Sequence, residues 1–310
     1  MAAEVSFSVV IPVYNGERTV GRAIQSVLEQ SHPALEVIVV NDGSTDGTGD
    51  VLSAFGDRIR VLNMPNRGVS AARNTGVESA RGDWLAFLDA DDWYFPDRLK
   101  CHADLIASEP EIDFVTGDFE YRSDDGRLLG RSMERTALGR SLCAGAAENP
   151  WAILERDDFG EFVESHFGDT HTLSLPRTTF RKLEGYSTAY RVCEDVHLLV
   201  RLCAVSRRAG VICRPLAVYL IRPDSATRTD RIEAQRETVR AMESLERTLT
   251  GSPPMIREGV RRGLRHARLD LAYALLRERH RMAAVSAVLP LLRSGPMVTA
   301  VRDVLSVVRG

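Results

Sequence analysis

From residue 6 to about residue 87, short apolar runs alternate with stretches whose apolar residues recur at helical spacing. That is the pattern of a parallel sheet covered by helices. Runs at 7–13, 36–40, 59–62 and 84–88 predict four buried strands. Between them, Val20, Ala23, Ile24, Val27 and Leu28 line one helical face ahead of Pro33. A second helix is predicted over about 46–55 and a third over 70–80, closed by Gly82. Three polar loops then fall at the carboxyl ends of strands, where open α/β sheets bind their ligands: Tyr14-Asn15-Gly16, Asn41-Asp42-Gly43-Ser44 and Asp89-Ala90-Asp91-Asp92.

Beyond Asp92 the rhythm changes. Pro96 opens a predicted helix to about 108, residues 113–121 alternate like a strand, and Ser123-Asp124-Asp125-Gly126 reads as a hairpin turn, so the sheet becomes mixed. Residues 132–168 lack periodicity and hold Gly139, Gly145, Asn149-Pro150 and Asp157-Asp158, which predicts a long excursion over the surface. From about 228 the chain reads as helix throughout, with a charge of roughly +7 against roughly -10 for everything before it. No internal repeat or low-complexity tract interrupts it.

Composition narrows the class without naming a function. The chain has 310 residues, 44% of them apolar and 27% charged, with a net charge of -3: a globular protein able to bury a core, built as one large domain with a helical appendix. Five scattered cysteines without a C-x-x-C pair argue against a zinc site or a disulfide framework and for a reducing compartment. Met1-Ala2-Ala3-Glu4 lacks the basic start of a signal peptide, and no apolar run approaches the ~20 residues that span a bilayer. The expected location is cytoplasmic, with peripheral contact at the inner face of the membrane as a second expectation. Lys100 and Lys182 are the only lysines, so a single arginine says little by itself.

Three features carry chemistry. Phe87-Leu88-Asp89-Ala90-Asp91-Asp92 is an apolar strand ending in three carboxylates. Mg²⁺ or Mn²⁺ is typically held by one or two carboxylates plus substrate phosphates, and residues two apart on extended backbone face the same side. Asp89 and Asp91 can therefore share a pocket while Asp92 turns away or joins through a bend; a solvated acidic turn before Pro96 reads equally well. Val39-Val40-Asn41-Asp42-Gly43-Ser44-Thr45-Asp46 runs from a strand through a glycine turn into a helix, suited to reading a base edge or a hydroxyl, or simply to joining strand and helix with Ser44 or Thr45 as cap. Asn66-Arg67-Gly68 leads into a small-residue helix carrying Arg73 and Asn74, where the arginine meets a base, a phosphate or only solvent.

In order and spacing, these elements resemble the family 2 glycosyltransferases of GT-A fold. The match runs through Val9-Val10-Ile11-Pro12-Val13-Tyr14-Asn15-Gly16, Asn41 to Thr48, Asn66-Arg67-Gly68, Ala72-Arg73-Asn74, Phe87 to Asp92 and Pro96. It is strong over about 6–106 and looser to about 225. The resemblance implies a Rossmann-like mixed sheet flanked by helices, with a catalytic domain over 1–227, divided into a nucleotide-binding half (1–106) and an acceptor half (107–227). A helical region (228–310) follows.

It further implies that Pro12, Tyr14 and Asp42 hold the base, with Glu17 and Arg73 nearby, that Asp89 contacts ribose and that Asp91 ligates Mn²⁺ or Mg²⁺ bridging the diphosphate, with Asp92 in support. Val192-Cys193-Glu194-Asp195 looks like the family's Glu-Asp motif opening a helix, which makes Asp195 the matching base and Glu194 its support; an acidic first turn is also simply favourable to a helix. Gly185-Tyr186 matches the small-residue turn beside the acceptor. One departure stands out: where the family often has a histidine after Tyr219, this chain has Arg222, which can neutralise phosphate charge but cannot bind a cation. His197, where an acidic residue is usual, is left without a role.

The reading is an inverting transferase moving a sugar from a nucleotide diphosphate, UDP by default, to an acceptor hydroxyl on a carbohydrate, lipid-linked or small-molecule acceptor. A nucleotidyltransferase and an inactive nucleotide-sugar-binding protein are the alternatives. Neither G-x-G-x-x-G nor G-x-x-x-x-G-K-[ST] is present to support a dinucleotide oxidoreductase or an ATPase, and no nucleic-acid partner is expected. The basic, apolar-faced C-terminal helices suit an anionic membrane surface, a second copy of the chain, or packing on the catalytic domain.

Overall fold

The computed structural model describes residues 5–146, 150–222, 230–294 and 297–309. Its centre is a mixed sheet of ten strands among the described residues, ordered β3-β2-β1-β4-β9-β6-β10-β5, with β7 added to β6 and β8 to β10. The first four are β1 (Phe7–Val13), β2 (Glu36–Asp42), β3 (Arg60–Met64) and β4 (Trp84–Phe87), all parallel to one another. They are joined by α1 (Val20–Leu28), α2 (Thr48–Ser53) and α3 (Val69–Glu78). Next come β5 (Trp93–Tyr94), α4 (Arg98–Ser108), β6 (Phe114–Ser123) and β7 (Leu128–Arg131); β6 and β7 are antiparallel across the expected hairpin turn. β9 (Ser174–Pro176) runs antiparallel to β4 and β6, and β10 (Arg208–Ile221) parallel to β6.

Alternation along the strands divides the core. Val9, Ile11 and Val13 of β1, with Val37 and Val39 of β2, pack on the α1 side, while Val10, Ile38 and Val40 pack against Ala72 and Val77 of α3. The small residues of α3 let it sit close to the sheet: a Cβ at Gly76 would lie 2.5 Å from a Val10 methyl.

The stretch 132–168 departs from the surface excursion expected of it. It folds as α5 (Ala137–Gly145), β8 (Trp151–Glu155), which pairs with β10, and α6 (Phe159–Glu164), with 3₁₀ turns at Met133–Arg135 and Arg156–Asp158. Met133, Leu154, Phe159, Phe162 and Phe167 are buried in the main core. These elements span only five to nine residues, too few turns for an apolar period to show. Asn149, one of the breaker residues, lies outside the described residues.

After α7 (Arg177–Lys182) and α8 (Glu194–Val205), the chain closes with α9 (Arg231–Thr248), α10 (Pro254–Arg277), α11 (Arg281–Val288), the short α12 (Leu291–Ser294) and α13 (Met297–Arg309). Leu245, Ile256, Val260, Leu264 and Val307 belong to the same apolar cluster as Val10 and Phe87, so these helices share a core with the sheet. No helix among the described residues is long and apolar enough to cross a membrane.

Candidate active site

The loops after β1 and β2 are laced together by side chains. Asn15 receives Thr45 N–H on its Oδ1 and gives its own N–H to Ser44 Oγ, while Gly16 N–H donates to Thr48 Oγ1. Asp42, expected to hold the base, and Glu17, expected near it, both serve to tie loops together. Asp42 is 3% exposed and its two oxygens accept from Arg67 and Gly68 N–H, both at 2.8 Å, so it folds the loop ahead of α3. Glu17 Oε2 accepts Gly47 N–H at 2.8 Å and stands outside the cleft wall. Pro12 and Tyr14 do line the cleft, and Tyr14, 53% exposed, presents an open aromatic face at its edge.

That cleft, of about 830 Å³, is walled by the strand ends and by the second half of the chain, and contains Asp89, Asp91, Asp92, Glu194, Asp195 and Arg222. Asp92 neither turns away nor faces solvent. It is 2% exposed, its Oδ1 accepts Leu220 N–H at 2.8 Å, and its Oδ2 lies 3.5 Å from His171 Nδ1, which fastens the acidic loop to β10. Burial, then the charges of Asp91 and Asp89, drive its pKa well above the carboxylate range, while burial lowers His171 to about 4. His171 is therefore neutral near pH 7.

Arg73, expected near the base, lines the same cleft as Pro12 and Tyr14 and is committed to the protein's own groups: it is 2% exposed, donates to Asp89 Oδ1 at 2.5 Å and Glu194 Oε1 at 2.9 Å, and lies 4.9 Å over the Tyr186 ring. Burial works against its charge, but Asp89, Tyr186 and Glu194 hold it protonated with a pKa above the ordinary value. One buried cation thus ties a carboxylate from the first hundred residues to one from the later part of the chain. Its neighbour Asn74 fixes the same junction, donating to Tyr186 O and accepting Tyr186 N–H, each at 2.9 Å. The turn before Tyr186 depends on glycine: Gly185 has φ +67°, and a Cβ there would lie 2.5 Å from Asn74 Oδ1.

The opposite wall begins at Cys193, whose left-handed φ of 71° swings the chain into α8 and puts Glu194 and Asp195 in its first turn, facing the cleft. Burial and the charge of Asp195 push Glu194 up to about 7, against the pull of Arg73. Burial, then Asp169, raise Asp195, with His166 opposing. Asp169 itself is lifted to about 6 by burial and by Asp89 and Glu194.

His166, Asp169, Thr170 and His171 all reach the cleft and were not picked out from the sequence. They lie in an irregular loop and a 3₁₀ turn, where no periodicity marks them; the only signal was the density of polar residues in His166-Phe167-Gly168-Asp169-Thr170-His171-Thr172. His197 is buried, with a pKa lowered to about 4 by burial, and packs 5.1 Å from the Tyr190 ring.

Among the described residues, no three His, Cys, Asp or Glu side chains form a ready-made metal cluster. The loop from Asp89 to Asp92 nevertheless fits a hard divalent cation whose remaining ligands come from a substrate. Three carboxylates stand within four positions; burial first, and then the charges of Asp91 and Asp89, raise the pKa of Asp92, and a cation beside Asp91 would offset that second, repulsive part.

Comparison with known proteins agrees with this geometry. The family described as Glycosyl transferase family 2 matches residues 8–183. The chain is 32% identical over 274 residues to the succinoglycan biosynthesis protein ExoO of Rhizobium meliloti, covering 84% of this chain and 74% of that one. It is also 34% identical over 236 residues to glycosyltransferase GlyA of Streptococcus pneumoniae, covering 74% of this chain and 32% of GlyA. Among solved structures, S. aureus TarS 1-349 in complex with UDP-GlcNAc superposes with a TM-score of 0.68 at 16% identity, covering 98% of this chain and 90% of that one. Mannosyltransferase PcManGT from Pyrobaculum calidifontis, in complex with GDP-Man and Mn²⁺, gives 0.64 at 18% identity, covering 98% and 80%. With the family match over more than half its length and a relative of this similarity, the chain belongs to glycosyl transferase family 2 and is a glycosyltransferase.

Proposed function

We propose that the enzyme is an inverting transferase that moves a sugar from a UDP-sugar to an acceptor hydroxyl in polysaccharide or glycoconjugate assembly. The observation that carries this reading is the Arg73 bridge, which ties Asp89 to Glu194 and so sets the Asp91 loop and Asp195 on facing walls of one cleft. In this reading Tyr14 covers the base, Pro12 floors it, Asp89 accepts from ribose through the oxygen not committed to Arg73, and Asp42 keeps the base loop in shape. Asp91 holds the divalent cation, which when bound neutralises the diphosphate and improves it as a leaving group. Arg222 adds positive charge on the same side of the cleft.

Asp195 then takes the proton from the acceptor hydroxyl as that oxygen attacks the anomeric carbon opposite the departing UDP, which inverts the configuration. UDP is supported by the TarS complex and by the resemblance of the base loop, and polysaccharide assembly by the name of ExoO.

Thermal shift against UDP, dTDP, GDP and UDP-sugars, each with Mn²⁺, Mg²⁺ or EDTA, tests the donor half. A ligand at 100 times its Kd adds about 2.7 kcal/mol, enough to raise the midpoint by several degrees. Stabilisation by UDP or a UDP-sugar only with metal is the expected result, and Asp91→Asn should abolish the metal-dependent part while leaving the unliganded melting temperature close to wild type. Stabilisation by GDP alone would overturn the choice of UDP, and an undiminished metal effect in the Asp91 variant would overturn the assignment of the ligand.

The pH profile follows from the raised carboxylates. Asp195 must be ionised to accept a proton, and its folded pKa lies above the ordinary value, so activity is complete at high pH and disappears as pH falls through the raised value. Because Glu194 and Asp195 interact, the limb reports the pair. Its midpoint in kcat/KM should lie above the usual carboxylate range; a limb near pH 4 would contradict the buried environment described here.

A further inference from the structure

Exposed large apolar side chains are concentrated at one end of the molecule. Of twelve among the described residues, seven lie between 273 and 308. On α13, Val301, Leu305 and Val308 are 41%, 43% and 57% exposed and share one stripe, while Ala300, Asp303 and Val307 turn inward. Met282, in the first turn of α11, is 85% exposed. These helices pack side by side, and their direction is set by two contacts: Arg265 Nε and Nη2 bind Asp303 at 2.5 and 2.9 Å, and the Tyr273 hydroxyl lies 3.2 Å from Ser306 Oγ. Later positions on α13 therefore meet later positions on α10, and Val308 lies toward the turn that joins α10 to α11.

That turn is basic. Arg277, Arg279, His280 and Arg281 are all exposed, with Glu278 the one acid among them. Further back on α9 and α10, Arg240, Arg262, Arg265 and Arg268 each pair with a carboxylate. Among the described residues, no ion pair is formed by Arg277, Arg279, Arg281 or Arg302, which is exposed beside the α13 stripe. Unpaired cations thus border water-facing apolar side chains on convex helices.

We propose that this end of the helical region docks on an anionic lipid surface, the stripe entering the headgroup boundary and the arginines meeting lipid phosphates. The combination is that of an interfacial helix, which needs apolar area and cationic flanks together. A second copy of the chain is disfavoured as the occupant, because a two-fold contact through this patch brings the unpaired arginines of both copies together. The proposal is independent of the donor assignment.

Co-sedimentation with vesicles of phosphatidylcholine alone, and of an equal mixture of phosphatidylcholine and phosphatidylglycerol, decides it. The wild type should sediment with the anionic vesicles only, less so as salt rises. Arg279→Glu with Arg281→Glu, and separately Leu305→Ser with Val308→Ser, should each weaken that binding about tenfold or more without lowering the melting temperature. Arg247→Glu reverses an exposed charge in the last turn of α9, beside the start of α10 and so about 35 Å from the basic turn by helix rise, and should change binding less than about twofold. Equal sedimentation with neutral vesicles, none with either, or a dimer in light scattering abolished by the Leu305/Val308 pair would overturn the proposal, the last assigning the patch to self-association.

Discussion

Asp195→Asn is expected to bind UDP-sugar and metal as the wild type does and to transfer sugar about 10²–10⁴-fold more slowly, the range over which a positioned general base acts. Asparagine keeps the size of the side chain and its capacity to accept the neighbouring Val196 N–H, so the first turn of α8 stays formed. What it loses is the ability to take a proton. The two measurements belong together: a titration of donor binding and a single-turnover rate on the same preparation. Wild-type transfer by this variant would remove Asp195 from the mechanism and direct attention to Asp169 and Glu194, which line the same cleft.

Arg73→Met should produce the second large effect, on stability as well as on rate. Removing one partner from a buried ionic network leaves the others uncompensated, typically at a cost of about 3–5 kcal/mol. Here the stranded groups are Glu194, nearly buried, and Asp89 at the cleft wall. The sign with pH is fixed by Glu194, whose folded pKa is already raised to about 7 with Arg73 opposing the rise. Without Arg73 it rises further, so the deficit is greatest in alkaline buffer, where the unfolded state has its carboxylate ionised and the folded variant resists ionising it. The deficit shrinks as pH falls and the group protonates. Urea unfolding at several pH values measures this directly. A variant within about 1 kcal/mol of wild type at every pH would show that the bridge is a surface-grade contact with little structural weight.

Much of the first ninety residues was legible because the strands there are continuous apolar runs bounded by turn residues, so that β1 to β4 and α1 to α3 lie within a few residues of expectation. The acidic loop and the Glu-Asp pair were legible for a different reason: their spacing repeats a known motif. The limits were physical. Nothing local in Arg73 shows that its two carboxylate partners come from 16 and 121 positions away, and alternation alone could not decide that Asp92 is pulled inward by the Leu220 amide. The wall formed by His166 to His171 has no period to read, and the core residues between 132 and 168 sit in elements too short to advertise themselves. Asp42 and Glu17 were found in the right loops with duties that only the hydrogen-bond partners reveal.

The junction around α3 bears on how such enzymes can diverge. Asn74 is clasped by Tyr186 and Arg73 by Glu194, contacts that span 112 and 121 positions. A chimera joining the first hundred residues of this chain to the acceptor half of another would meet that clasp as a matched lock. Unless the foreign half supplied a glycine turn with backbone groups for Asn74 and a carboxylate for Arg73, the hybrid would bury an amide with nothing to hold and a cation left with Asp89 alone. Exchange of acceptor preference between relatives is thus favoured by substitutions and loop grafts that leave these two clasps intact, and disfavoured by recombination of whole halves.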